Sequence, residues 1–168
     1  VLAEGYIGYA WGTGADLVDY VRYGGEIQIY RSFGPRHVIA MRAAGEEART
    51  DSRNPGNHLF LPVKITELPS LGGPASLRGY LRDRFTDNAA VLANLEYRLR
   101  LSPIVEATFF ADFGKVMPRL LDFQVTDIHR SWGAGLRFAT DEHMYLRIQG
   151  AGGIEETVFT VTLEPVFD

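Results

Sequence analysis

From Val91 to Leu101 the chain alternates without a break. Val91, Ala93, Leu95, Tyr97, Leu99 and Leu101 fall on one parity, and Asn94, Glu96, Arg98 and Arg100 on the other. Side chains of a β-strand point to opposite faces in turn, so this period of two is the pattern of a strand with one apolar and one charged face. Ser102-Pro103 then reverses the chain, and Val105 to Gly114 repeats the pattern, with Val105, Ala107, Phe109, Ala111 and Phe113 against Glu106, Thr108, Phe110 and Asp112. A hairpin this strictly divided has to separate an apolar phase from a polar one, which narrows the folds open to the chain more than any other feature.

The same period extends in both directions. Ile7, Tyr9 and Trp11 oppose Glu4, Tyr6 and Gly8, and Val21, Tyr23, Ile27, Ile29 and Phe33 oppose Tyr20, Arg22, Glu26, Gln28 and Ser32. After Gly34-Pro35, residues 37–48 alternate again. Trp132 to Thr140, Met144 to Gln149 and Glu156 to Phe167 complete the series. The expectation is an all-β chain of about eight strands. Tight turns at 34–36, 102–103 and 141–143 take turns with longer connections at 12–17, 49–88 and 115–130, and 151–155 is intermediate. Short turns at one end and long loops at the other are the habit of an antiparallel transmembrane β-barrel, with an apolar outside and a polar lumen. Tyr9, Trp11, Phe33, Trp132 and Phe167, near strand ends, suit interfacial girdles, although ordinary core packing would also use them.

Composition sharpens this. With 46% hydrophobic residues the 168-residue chain is not disordered, and its length fits one domain, 1–168. A net charge of −4 without a basic stripe argues against nucleic acid as a partner. The absence of cysteine removes disulfide frameworks and Cys-based zinc sites. No apolar run reaches the ~18 residues of a spanning helix. The chain starts at Val1 without a signal-like segment, which reads as a fragment or a processed product. His37, His58, His129 and His143 lack ligand spacing, and Ser70 and Ser76 lack a nucleophile context. Asp83, Asp87 and Asp127 do not form a calcium loop. The expectation is no enzyme, no cofactor and no metal.

Within the long loop at about 49–88 stands Leu71 to Tyr80, LGGPASLRGY. Gly72, Gly73, Pro74 and Gly79 punctuate it, and Arg78 is the single charge. A permanently charged, planar donor fork delivered by a loop wants a carboxylate partner. A solvated surface turn with an incidental arginine is the plainer reading.

LGGPASLRGY, the strand NLEYRLRL and the strand FFADFG together resemble the BamA-type outer-membrane assembly and bacterial surface-antigen barrel superfamily. The resemblance implies that Leu77, Arg78, Gly79 and Tyr80 form a loop tip folded back into the barrel, with Glu96 as an inward carboxylate. It also implies an F-x-D-x-G strand motif at Phe110, Asp112 and Gly114. An aromatic-ended last strand, with Phe159, Val161, Leu163 and Phe167, would carry the assembly signal, although here Asp168 follows the aromatic. Parity agrees on one point: Glu96 and Asp112 share the polar face, where an inward-folded loop would bring Arg78 to both. The alternative is a solvated ladder of Glu96, Arg98 and Arg100 indifferent to the loop.

About eight closed strands would leave no room for such a loop, since side chains already fill so small a barrel. The family barrel has sixteen strands, so the chain is expected to be its C-terminal half; closure by two copies is the lesser alternative. The implied function is inserting, assembling or translocating other proteins at a bacterial or organelle outer membrane. The implied partners are the lipid bilayer, client proteins, and the rest of the barrel with periplasmic domains or accessory subunits. Alternatives are a passive anchor or secretion pore for an N-terminal passenger such as a patatin-like lipase, and a soluble lipocalin-like binder with its apolar parity inside.

Overall fold

A computed structural model describes residues 1–10, 20–50, 67–141 and 144–165. Alternation becomes strands wherever it was clear: β1 (Leu2–Ala10), β2 (Tyr20–Ser32), β3 (His37–Thr50), β6 (Ala89–Ser102), β7 (Val105–Met117), β8 (His129–Asp141), β9 (Met144–Gly152) and β10 (Thr157–Pro165). They form one eight-stranded sheet in the order β1-β2-β3-β6-β7-β8-β9-β10, every neighbouring pair antiparallel. Within the loop, β4 (Ser70–Leu71) and β5 (Phe85–Thr86) pair separately, a two-residue ladder that the sequence did not announce. Several strands outrun their sequence bounds. β7 continues to Met117, β8 starts at His129 and β9 runs through Gly152, because neighbouring strands offer backbone partners beyond the last alternating residue.

Register carries parity across the sheet. Leu95 faces Met41 and Ala111, while Glu96 faces Ala40 and Phe110, so each face continues from strand to strand. On one face Ile7, Leu95, Phe109, Trp132, Phe159 and Val161 lie exposed. On the other lie Arg78, Glu96, Thr108, Asp112, Ser131, Arg147 and Gln149, all buried. This inverts a soluble protein, whose apolar face would be the hidden one. The soluble lipocalin-like alternative therefore fails: the apolar parity lies outside and the polar parity within. An all-β wall with an apolar outside and polar inside is a segment of a barrel.

The short turns gather at one end. Phe33 N–H donates to His37 O at 2.8 Å, and two further turn bonds, Arg100 N to Arg36 O (2.8 Å) and Ala139 N to Ile104 O (2.9 Å), tie each turn to the next strand pair. At the other end the connections carry mass. Among the described residues neither the free edge of β1 nor that of β10 has a partner strand. The apolar core is local and belongs to the loop: Leu71, Leu77, Tyr80, Ala90 and Leu92, with Ala44, Phe85 and Val116 packed against them. Burying Leu77 and Tyr80 contributes about 1.5–3 kcal/mol each to holding the loop against the inner wall.

Candidate functional site: a loop arginine locked to the inner wall

The loop that carries Arg78 is shaped before it is docked. Gly72 and Gly73 have φ of 126° and 91°, and a Cβ at Gly72 would stand 2.2 Å from Leu81 O, so only glycine fits there. The Ser76 hydroxyl donates to Gly72 O at 2.9 Å and accepts from Gly72 N–H at 2.8 Å, closing the turn. Gly73 N–H donates to Tyr80 O (2.9 Å) and Tyr80 N–H to Leu77 O (3.2 Å). The Pro74–Gly79 segment is thus a compact hook with Arg78 at its inner side.

Arg78 uses its whole donor fork. Nη2 donates to Asp112 Oδ1 at 2.6 Å, Nε to Asp112 Oδ2 at 3.0 Å, and Nη1 to Glu96 Oε2 at 2.5 Å. Its backbone N–H also donates to Asp112 Oδ2, at 3.1 Å. Below the guanidinium plane lies the Phe110 ring, 3.6 Å from Cζ to the ring centroid, a cation–π contact strengthened by desolvation. Arg78 is 6% exposed and Asp112 fully buried. Burial alone would disfavour the Arg78 charge, but hydrogen bonds and proximity to Asp112, and then to Glu96, outweigh it and hold the guanidinium charged.

Each carboxylate has further donors. Asn94 Nδ2 donates to Asp112 Oδ1 at 2.8 Å and Ser131 Oγ to Asp112 Oδ2 at 3.0 Å. Asn94, Asp112 and Ser131 are direct cross-strand partners on β6, β7 and β8, so register alone assembles that half of the site. Glu96 accepts from Arg98 Nε at 2.7 Å and from Arg147 Nη2 at 2.6 Å. Arg147 comes from β9, three strands away in the sheet from β6, and reaches Glu96 because the wall curves around the loop. Nothing in the alternation singled out Asn94, Ser131 or Arg147 as members of the site. Asn94 and Ser131 could have been found from polar parity once strand pairing was known.

The hook is pinned at its other corners too. Tyr80 donates from its hydroxyl to Arg130 O (3.1 Å) and accepts there from Ile154 N–H (3.3 Å). Its ring meets Phe85 edge-on at 5.0 Å, and Phe85 stacks on His129 at 3.6 Å. Gly79 lies so close to the wall that a Cβ there would stand 2.6 Å from Gly152 C and 2.7 Å from Ser131 Cβ. Gly114 similarly leaves room on the wall for Leu71 and Leu77, which a Cβ would meet at 2.8 and 3.3 Å. The loop tip Leu77, Arg78, Gly79 and Tyr80 is therefore brought together with Glu96, Phe110, Asp112 and Gly114, and is not a solvated turn. Phe159, Val161 and Leu163 lie apart on β10, exposed on the outer face, and Phe167 lies outside the described residues.

Within the ensemble all three guanidinium nitrogens of Arg78 donate to Asp112 or Glu96, and Asp112 also accepts from Asn94 and Ser131. Among the described residues no group of three or more His, Cys, Asp or Glu could hold a metal ion, and no helix is long and apolar enough to cross a membrane. A search of curated proteins returns no match. A family model, the Omp85 superfamily domain, matches residues 4–142, a span that takes in the Arg78 hook and both of its carboxylates. With the outward apolar sheet, the inward polar face and this match in agreement, the chain belongs to the Omp85 superfamily, a family of outer-membrane proteins whose general work is protein assembly or translocation.

Proposed function

We propose that this chain forms the C-terminal half of the barrel of a BamA-type assembly protein, and that it inserts other β-barrels into the outer membrane without catalysing a chemical reaction. The observation that carries the reading is the Arg78 hook, clamped to Asp112 and Glu96 inside a wall in which β10 has no partner on its outer edge among the described residues. An unpaired strand edge is a template for another strand. A client's strand would add to β10, while the clamped loop keeps the wall's shape as the seam opens. The remaining strands would come from the preceding part of the same protein, since eight strands closed on themselves would leave no space for the hook.

The test uses the full-length protein in proteoliposomes, with an unfolded outer-membrane barrel as client and protease resistance of the inserted product as readout. Insertion by the parent, and its loss on Arg78→Ala while the carrier's own barrel stays folded, is the expected result. A parent that exports a soluble passenger but inserts no barrel would overturn it in favour of a secretion pore.

A further inference from the structure

The β2–β3 hairpin brings an arginine to the outer face. Arg31 has the outward parity of Ile27 and Ile29, and the chain reverses just beyond it, at 33–36. Register decides its neighbours. Ile39 is its cross-strand partner on β3 and is paired on its other side with Tyr97 of β6. His37, two residues from Ile39 toward the turn, is the diagonal neighbour of Arg31, about 7–8 Å away and within reach of a long side chain. His37 Nδ1 and the Tyr97 hydroxyl are hydrogen-bonded at 2.7 Å with their rings stacked at 6.0 Å, and Phe109 continues the stack beyond Tyr97 at 6.4 Å. Three strands thus set a cation, an imidazole and a phenol around one isoleucine on a shared face.

The level of this cluster argues for its occupant. Away from the turn the next outward residues are apolar and exposed: Ile29 and Ile27 on β2, Met41 on β3 and Leu95 on β6. Toward the turn the strands end within a few residues, and Phe33 stands 56% exposed. Arg31 therefore lies at the margin of the lipid-facing band on the short-turn side, where a long cationic side chain keeps its stem among acyl chains and its guanidinium among headgroups. Arg31 and Arg36, the latter in the turn itself, are both exposed, and neither has an ion-pair partner among the described residues. On the outward parity of β1, β2, β3, β6 and β7 the one carboxylate among the described residues is Glu47. It lies near the far end of β3, where it accepts from Leu120 N–H of the β7–β8 connection at 3.1 Å. The turns at 33–36 and 102–104 contain no carboxylate. Glu26, Glu96 and Glu106 belong to the inner face and have arginines of their own.

We infer that this margin is a binding site for an anionic phospholipid of the leaflet on the short-turn side, with the headgroup phosphate on Arg31 and His37 and an acyl chain along Ile39 and Ile29. Continuity with the apolar band selects a lipid rather than a protein partner, and the unopposed positive charge of the hairpin selects an anionic headgroup. The site uses the outer face alone and is independent of the role of the Arg78 hook.

Native mass spectrometry of the full-length protein in a non-ionic detergent tests it, with phosphatidylglycerol as the anionic probe and phosphatidylcholine as the zwitterionic one. Phosphatidylglycerol should be retained in preference, and Arg31→Gln should weaken its retention about fivefold. His37→Phe, which keeps a ring to stack on Tyr97, should weaken it by a smaller factor. Arg119→Gln, at an exposed cation of the long β7–β8 connection, should leave it unchanged, and heat-modified gel mobility checks that every variant is folded. Equal retention of the two lipids by the parent, undiminished phosphatidylglycerol binding by folded Arg31→Gln, or an equal fall with Arg119→Gln would overturn the site. So would a protein captured in place of lipid by a photo-crosslinker at position 33 in native membranes.

Discussion

Arg78 makes five hydrogen bonds to two carboxylates, all three residues being buried, and removing the cation would leave Asp112 and Glu96 facing each other. Loss of one partner from such a buried pair costs about 3–5 kcal/mol. Arg78→Ala should therefore make the 67–88 loop sensitive to limited proteolysis while the strands stay paired through their own backbones; an equally resistant loop would contradict the clamp. Arg78→Lys should rescue little, because one ammonium cannot match a planar fork bound to two carboxylates and stacked on Phe110. Restoration of the parent digestion pattern by lysine would show that charge alone suffices. Gly79→Ala probes the fit of the same tip without touching charge. Its Cβ would press on the Gly152 and Gly153 backbone at 2.6 and 2.7 Å, so the tip should lift and digestion should resemble that of Arg78→Ala.

At the scale of elements, the hook is tied to the turn between β9 and β10 as well as to β6 and β7. Tyr80 accepts from Ile154 N–H, Leu81 N–H donates to Glu156 Oε1 (3.2 Å), and Arg84 pairs with Glu155 at 3.0 Å. The Arg84–Glu155 pair is half exposed and contributes at most about 1 kcal/mol. The Tyr80 hydroxyl is the better-buried tie, so Tyr80→Phe should cost roughly 0.5–1.5 kcal/mol. It should also raise amide hydrogen exchange at 153–156 before it changes exchange in β6; a uniform rise across the sheet would mean that the hook and this turn are not separately coupled. The sheet's outer face makes a different demand. Leu95→Arg places a charge in the lipid band and should cost about 2–4 kcal/mol in folding into bilayers, whereas the same change at an aqueous face would be almost free.

At the scale of the described residues taken together, the decisive features are one curved wall and the edges of β1 and β10, neither of which has a partner strand among those residues. Contact between Arg147 on β9 and Glu96 on β6 records that curvature, because a flat sheet would hold them more than three strand spacings apart. If clients add at β10, then Thr160→Cys in the full-length protein should form disulfides with a cysteine-bearing client strand during insertion, read as a mixed adduct on non-reducing gels. Adducts that form equally well from a position on β7 would show encounter without strand addition.

Alternation by itself determined the strands, their faces and the sorting of short turns from long loops, because a residue's parity is a local property of extended backbone. It also placed Glu96 and Asp112 on one face and offered the LRGY tip as a loop in want of a carboxylate. Resemblance to a known family, rather than spacing, joined the two. The β4–β5 ladder, the Arg147 contact and the descent of the β7–β8 connection onto the outer face were decided only in three dimensions. Each depends on which strand lies beside which and how the wall bends. The same holds for Gly79 and Gly114: in the sequence they are glycines at a loop tip and a strand end, and only the packed structure shows the backbone and leucine side chains that leave no room for a Cβ. Pairing between residues distant in sequence is set by register and curvature, and no period along the chain encodes either one.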